Sequence, residues 1–348
     1  MKKLTFFAIF FLFALTLCLS AGAQSGSCGE NAFWSLEGGT LRITGSGDME
    51  IYDSDELVPW HFAREQIKNL IIDKGITSLG NCAFSGIENI TEVTFPEGLE
   101  TIGDCAFVGC TGLKKVTLPS GIKRIGFEAF FDCISLDEVH AESLEKWCET
   151  QFDSASSNPL FYGRNLYFGD ALAEEVTLPE SLAEIGQYAF TGCTSLKSAT
   201  AAGQLETVGD SAFNGCSGLQ KVVLGENVKK IGLMSFGGCS SLTEIHIPES
   251  VEEIDELAFS GCSSLKRLEL YGNIKKISQG AFEGCDNLTV YCYAGSAVSK
   301  FCKKSDIPCK TKLSPSAVIL IFACTVLCAV FAFIFRKKIK SILRIVRA

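Results

Sequence analysis

Residues 113–135 read LKKVTLPSGIKRIGFEAFFDCIS, and residues 242–264 read LTEIHIPESVEEIDELAFSGCSS. Each stretch opens on a leucine, alternates apolar and polar residues, passes a proline, and reaches an Ala-Phe pair followed by a cysteine. Stretches of this form tile the chain. Ala-Phe pairs end at Phe84, Phe107 and Phe130, 23 residues apart. After a gap of 60 residues the series resumes at Phe190 and continues through Phe213, Phe236, Phe259 and Phe282, with Ser235 in place of the alanine before Phe236. A period of this length marks a solenoid, in which each coil buries its apolar face against its neighbours.

Within one coil the residues after the first leucine alternate, with Val116 and Leu118 inward and Thr117 outward. That period of two is a strand. Pro96, Pro119, Pro179 and Pro248 close the strand because proline has no N–H to continue a ladder. Gly103, Gly126, Gly186, Gly209 and Gly232 follow an Ile or Val at the same step and read as tight turns. The predicted fold is therefore a mainly β repeat solenoid of parallel strands. Coils stacked at about 4.8 Å make a rod or shallow arc on the order of 50 Å long.

The pattern LxxVxLPxxLxxIGxxAFxGCxxL resembles the BspA-like, treponemal-type leucine-rich repeat of surface proteins, over about residues 28–309. Cys28, Trp34, Gly45 to Met49 and Pro59-Trp60 resemble that family's amino-terminal cap. Ala294-Gly295-Ser296 through Ile307-Pro308-Cys309 resemble its carboxyl-terminal cap. The resemblance implies a secreted or surface-displayed scaffold, often linked to adhesion. The expected division is a signal peptide over 1–23, an amino-terminal cap over 24–66, a solenoid over 67–291 with an irregular coil at 143–170, and a cap over 292–312. A membrane span over 316–335 and a basic cytoplasmic tail over 336–348 complete it.

The two ends carry the membrane signals. Lys2 and Lys3, an apolar run from Leu4 to Leu19, and Ala21-Gly22-Ala23 form a secretory signal cleaved before Gln24, with an uncleaved anchor as the alternative. Ser316–Phe335 is uncharged for 20 residues, enough helix to cross about 30 Å of hydrocarbon. Arg336, Lys337, Lys338 and Lys340 follow and mark the cytoplasmic side. The expected location is the cell surface, as a single-pass protein with its body outside.

The chain carries 31 Lys+Arg and 40 Asp+Glu. Eight of the basic residues and none of the acidic ones lie in 1–23 and 314–348, which leaves the middle at 23 basic against 40 acidic, a net of −17. An acidic body repels phosphate backbones, so nucleic acid is not an expected partner. Seven of the 17 cysteines keep the repeat: Cys110, Cys133, Cys193, Cys216, Cys239, Cys262 and Cys285. The first coil has Ile87 at that place, so the slot reads as apolar and the thiols as reduced and buried. Disulfides between adjacent rungs remain sterically open. Cys82 and Cys105 are one period apart, and Cys292, Cys302 and Cys309 crowd the terminal cap. No paired Cys-x-x-Cys appears, so no metal is expected. No catalytic constellation or cofactor motif appears either, and the chain is not expected to be an enzyme.

Two candidate surfaces follow. The outward strand positions Thr94, Thr117, Thr177, Thr200, Val223, His246 and Glu269 make a mostly neutral strip with charged margins, suited to a macromolecular partner. The irregular coil offers Trp147, Phe152, Tyr162 and Tyr167 as a loop site, or else as packing. The function read from this is a membrane-anchored protein that binds an extracellular protein or glycan, in adhesion. The alternatives are a structural surface protein without a defined ligand, and a receptor ectodomain that signals through a partner.

Overall fold

The computed structural model describes residues 24–201 and 203–346; the signal segment lies outside the described residues. Each regular coil has three extended sides. In the coil of Leu113, Lys115–Leu118 pairs in parallel with Glu92–Thr94 and with Glu138–Ala141. Arg124–Ile125 pairs in parallel with Thr101–Ile102 and with Gln151–Phe152. The Ala-Phe segment makes the third side. There Cys105, Phe107 and Gly109 donate their N–H groups to the carbonyls of Phe127, Ala129 and Phe131 at 2.8, 2.8 and 2.9 Å. Backbone hydrogen bonds on all three sides thus run along the axis to a neighbouring coil, toward the next coil on the Ala-Phe side and back to the preceding one at Lys115, Arg124 and Gly126, which answers the demand that buried peptide groups be paired.

The third side needs a backbone shape that its residue types do not announce. The residue before each alanine, or before Ser235 in its place, is left-handed: φ is 54° at Cys82, 55° at Cys105, 53° at Glu128, 51° at Met234 and 56° at Leu257. A left-handed non-glycine costs roughly 1–2 kcal/mol, and the ladder on either side holds it there. The glycines expected to turn at Gly103, Gly126, Gly186, Gly209 and Gly232 do something else. None has positive φ, but a Cβ on Gly103 would lie 2.7 Å from the Asn81 nitrogen, and one on Gly209 2.4 Å from the Ile185 oxygen. They are glycine because the backbones of successive coils touch there. The left-handed glycines of the repeat include Gly86, Gly109, Gly192, Gly215, Gly238, Gly261 and Gly284, ahead of the cysteine position.

The core is a file of phenylalanines. Phe84, Phe107 and Phe130 stack with centroids 5.2 and 5.4 Å apart, and Phe190 to Phe282 continue at 5.1–5.5 Å. Trp60 stacks on Phe84 at 5.8 Å, and Phe301 meets Phe282 edge-on at 6.1 Å. The file is therefore closed by an aromatic ring from each cap. The amino-terminal cap is an antiparallel meander of Gln24–Ser27, Ala32–Glu37 and Thr40–Gly45, whose last strand pairs in parallel with Asn69–Ile72. The carboxyl-terminal cap packs the helix Ala297–Lys304 and adds Cys309–Lys312 in parallel to Thr289–Tyr293.

Beside the phenylalanines runs the thiol file. Cys110, Cys133, Cys239 and Cys262 point their sulfurs at the carbonyls of Phe84, Phe107, Phe213 and Phe236, each at 3.2 Å; Cys216 and Cys285 reach Phe190 and Phe259 at 3.0 Å. All the described cysteines are free thiols. Burial pushes the Cys133 and Cys239 thiols up to about 12.

The irregular coil interrupts the pattern and repairs it. Ser143 caps the helix Leu144–Glu149 by accepting from the Lys146 N–H, and Ser154 and Ser157 form a capping box around Ala155–Ser157. The strand Asn165–Phe168 is covered by the antiparallel Ala171–Leu172, and new sheets start at Glu175–Thr177 and Glu184–Ile185. In a regular stack the alanine carbonyl accepts from the phenylalanine N–H of the coil before. Ala189 accepts instead from the Trp147 indole at 2.8 Å and the Asn158 amide at 2.9 Å. Trp60 does the same for Ala83 at 2.9 Å. The irregular coil thus starts the second block of coils as the amino-terminal cap starts the first.

The last helix, Pro315–Val346, contains an apolar segment Pro315–Arg336 of mean hydropathy 3.0, none of it buried by the body. It is long and apolar enough to cross a membrane.

Candidate partner-binding site

The strip residues occupy matching register positions. Thr94 pairs with Thr117 and Thr117 with His140; in the second block Thr177, Thr200, Val223 and His246 succeed one another. The flanking residues on the same strands, Val116, Val139, Val222 and Ile245, are buried, so the alternation read from sequence sets which side chains face outward. Thr94, Thr177, His246 and Glu269 are exposed, and Thr117, Thr200 and Val223 half-buried.

The loop candidates separate. Trp147 is 3% exposed and Phe152 3%. Both belong to the interior of the irregular coil, because the Trp147 indole turns in to reach Ala189 and its ring packs on Phe152 at 5.3 Å. They are unavailable to a partner. Tyr162 is half-buried on the short helix Leu160–Gly163. Tyr167 pairs in register with His140 and stacks on its ring, with centroids 4.6 Å apart and planes 6° apart. The row of the first block therefore runs Thr94, Thr117, His140, Tyr167, and joins part of the loop site to the strip.

His140 is held on all sides. One ring nitrogen lies 3.1 Å from the Glu138 carboxylate and the other 3.2 Å from the Gly169 carbonyl. His246 faces Glu226 at 3.3 Å. A groove of about 520 Å³ opens beside it, lined by Glu226, Glu244, Glu249, Glu269, Arg267 and Tyr271. It forms because Glu244–His246 and Arg267–Leu270 lie in separate sheets. The strip also runs further than its sequence positions indicated. Glu269 pairs with Tyr291, and Tyr291 with Lys310. Tyr271 and Tyr293 sit 5.1 Å apart beside this row, with the Lys312 ammonium 3.7 Å over Tyr271 and the Arg267 guanidinium 3.8 Å over Tyr291. Alternation along LKRLEL pointed to Glu269, but the terminal strands depart from the repeat spacing and hid the rest.

The margins are neutralised from coil to coil. Lys115 reaches Glu138 at 3.8 Å, Lys221 reaches Glu244 at 2.8 Å, and Lys197 pairs with Glu174. Such exposed pairs contribute little stability each, about 0–1 kcal/mol. They present a surface of alternating sign around a neutral centre. Among the described residues no group of three or more His, Cys, Asp or Glu is placed to hold a metal ion.

Comparison with known proteins agrees with this architecture. Six copies of the BspA type leucine rich repeat region match residues 59–160 and 163–289. Comparison with curated proteins yields no match. Among solved structures, a leucine-rich repeat protein from Eubacterium ventriosum is 20% identical, with 76% of this chain and 95% of that one covered and a TM-score of 0.35. A leucine rich cell surface protein from Faecalibacterium prausnitzii is 18% identical, covering 84% and 99%, with a TM-score of 0.40. The T. pallidum leucine rich repeat protein is 24% identical, covering 71% and 89%, with a TM-score of 0.33. With its 23-residue coils, its phenylalanine file and six matched copies over most of its length, the chain belongs to the BspA-type leucine-rich repeat family.

Proposed function

We propose that this protein is a membrane-anchored, surface-displayed scaffold that acts by binding, not by chemistry, and that it holds an extracellular protein or glycan in adhesion. The observation that carries the reading is the register-matched outward row from Thr94 to Tyr167 and from Thr177 to His246. A row of small or neutral side chains with charged margins offers a partner an uncharged centre and a polar rim. Pro315–Arg336 supports the anchor, and the basic residues after it support an orientation with the body outside.

The test is a screen of the soluble body, residues 24–312, against surface proteins and glycans, repeated with Thr200→Arg and Val223→Arg. Both variants should fold, since these side chains are on the outward face, and both should weaken the ligand found by about tenfold or more, as expected for a charge forced into an uncharged contact centre. Wild-type binding by both would remove the row from the site.

A further inference from the structure

We propose that the carboxyl-terminal cap is a docking face for the anionic phospholipid headgroups of the bilayer that the last helix crosses. The proposal rests on the membrane reading of Pro315–Arg336. Residues 297–312 carry Lys300, Lys303, Lys304, Lys310 and Lys312 against the single acid Asp306, in a body that is otherwise strongly acidic. All five lysines are exposed. Elsewhere the lysines are mostly spent on neighbouring coils: Lys123 on Glu100, Lys221 on Glu244, Lys229 on Glu206, Lys275 on Glu252. Among the described residues, none of the five cap lysines has a carboxylate within ion-pair distance. The one charge of the face that is neutralised is Arg267, on Glu269 at 2.5 Å.

Chain length fixes where this charge lies. Only Leu313 and Ser314 separate Lys312 from Pro315, so Lys312 lies within about 11 Å of the helix start whatever the angle between them. The headgroup layer is about 5–7 Å thick on each side, and fixed charge acts over about 8 Å at physiological salt. Beside these lysines stand Tyr271, Tyr291 and Tyr293, two of them under the Lys312 and Lys310 ammonium groups at 3.7 and 5.6 Å. Tyrosine and lysine together suit a membrane interface, where a ring rests at headgroup level and a cation meets phosphate. The acidic coils are repelled by the same surface. The cap would therefore seat on the bilayer while the rest of the rod stands off it.

The body can be tested without its anchor, because the buried core and the groups packed on it end at Cys309. Residues 24–312 should co-sediment with vesicles of phosphatidylcholine mixed with phosphatidylglycerol and stay in solution with phosphatidylcholine alone, and high salt should release them. Lys310→Glu with Lys312→Glu should lower partition about tenfold or more, whereas Lys68→Glu, at the far end, should leave it unchanged. Equal binding to neutral vesicles, no binding to anionic ones, or no effect of the cap reversals would overturn the proposal. Extraction of the full chain by carbonate tests the anchor separately. A body that binds anionic vesicles while the full chain washes off leaves the docking face standing and removes the span. A retained full chain with a non-binding body does the reverse.

Discussion

Each cysteine of the file fills an apolar slot, and all but Cys193 give their hydrogen to a phenylalanine carbonyl one coil back; the Cys193 sulfur lies 3.6 Å from the Ser195 hydroxyl instead. The sequence revealed only the first of these roles. Ile87 at the first rung indicated an apolar site, and it is one, but Ile87, like Cys193 at the start of the second block, is also a rung with no regular Ala-Phe coil behind it to offer a carbonyl. The bond spans 26 residues and exists only once the coils are in register, so no local pattern announces it. The left-handed residues were equally hidden, since of the series from Cys82 to Gly280 only the last is a glycine. The thiols make alkaline stability a sharp test. For Cys133 and Cys239 the folded value lies near 12 against 9.0 for the free thiol. Below about pH 9 both states keep the proton and stability is complete; above it the unfolded chain loses the proton first, and stability should fall by about 1.4 kcal/mol per pH unit for each thiol until about pH 12. Urea unfolding between pH 8 and 11 measures this, and Cys239→Ala should flatten the slope while costing about 1–3 kcal/mol at neutral pH. A stability that stays level from pH 9 to 11 would mean that the thiols are not what the fold protects.

At the scale of the element, the irregular coil behaves as an internal cap. Its aromatic content predicted packing, and Trp147, Phe152 and Leu160 do pack. Which aromatics stay outside was not legible, because residues 143–168 follow neither a period of two nor one of 3.6 for long enough to assign a face. Trp147 lies on a helix that turns inward and Tyr167 on a strand that continues the row, although composition treats them alike. The analogy with Trp60 gives a prediction. Trp147→Phe keeps the ring and removes the indole donor to Ala189, so it should destabilise by about 1–2 kcal/mol. Hydrogen exchange should quicken first at the start of the second block, near Ala189 to Cys193, with the coils of Phe84 to Phe130 unchanged. Uniform quickening along both blocks would show that the join is not a local boundary. Nearest-neighbour stacking is what makes a local response the expected one.

At the scale of the whole molecule, the 23-residue period was enough to specify the coils, because three repeats before the 60-residue gap and five after it each leave a single way to stack, whereas the caps were legible only through the family resemblance. The terminal helix was legible from its length and lack of charge. Its role is checked by washing membranes with carbonate: the full chain should stay and a chain ending at Lys312 should be released, and a full chain that washes off would refute the span. The charged columns along the rod have a consequence of another kind. Glu206, Lys229, Glu252 and Lys275 occupy one position in successive coils and pair as Glu206 with Lys229 and Glu252 with Lys275. Because every coil of a block shares one geometry, unequal crossing-over between their coding segments can lengthen or shorten the rod without a new core. Loss of two adjacent units keeps the alternation of sign, whereas loss of one inner unit sets two like charges side by side. The gene is thus free to vary the reach of its product, and the charges favour doing so in pairs of coils.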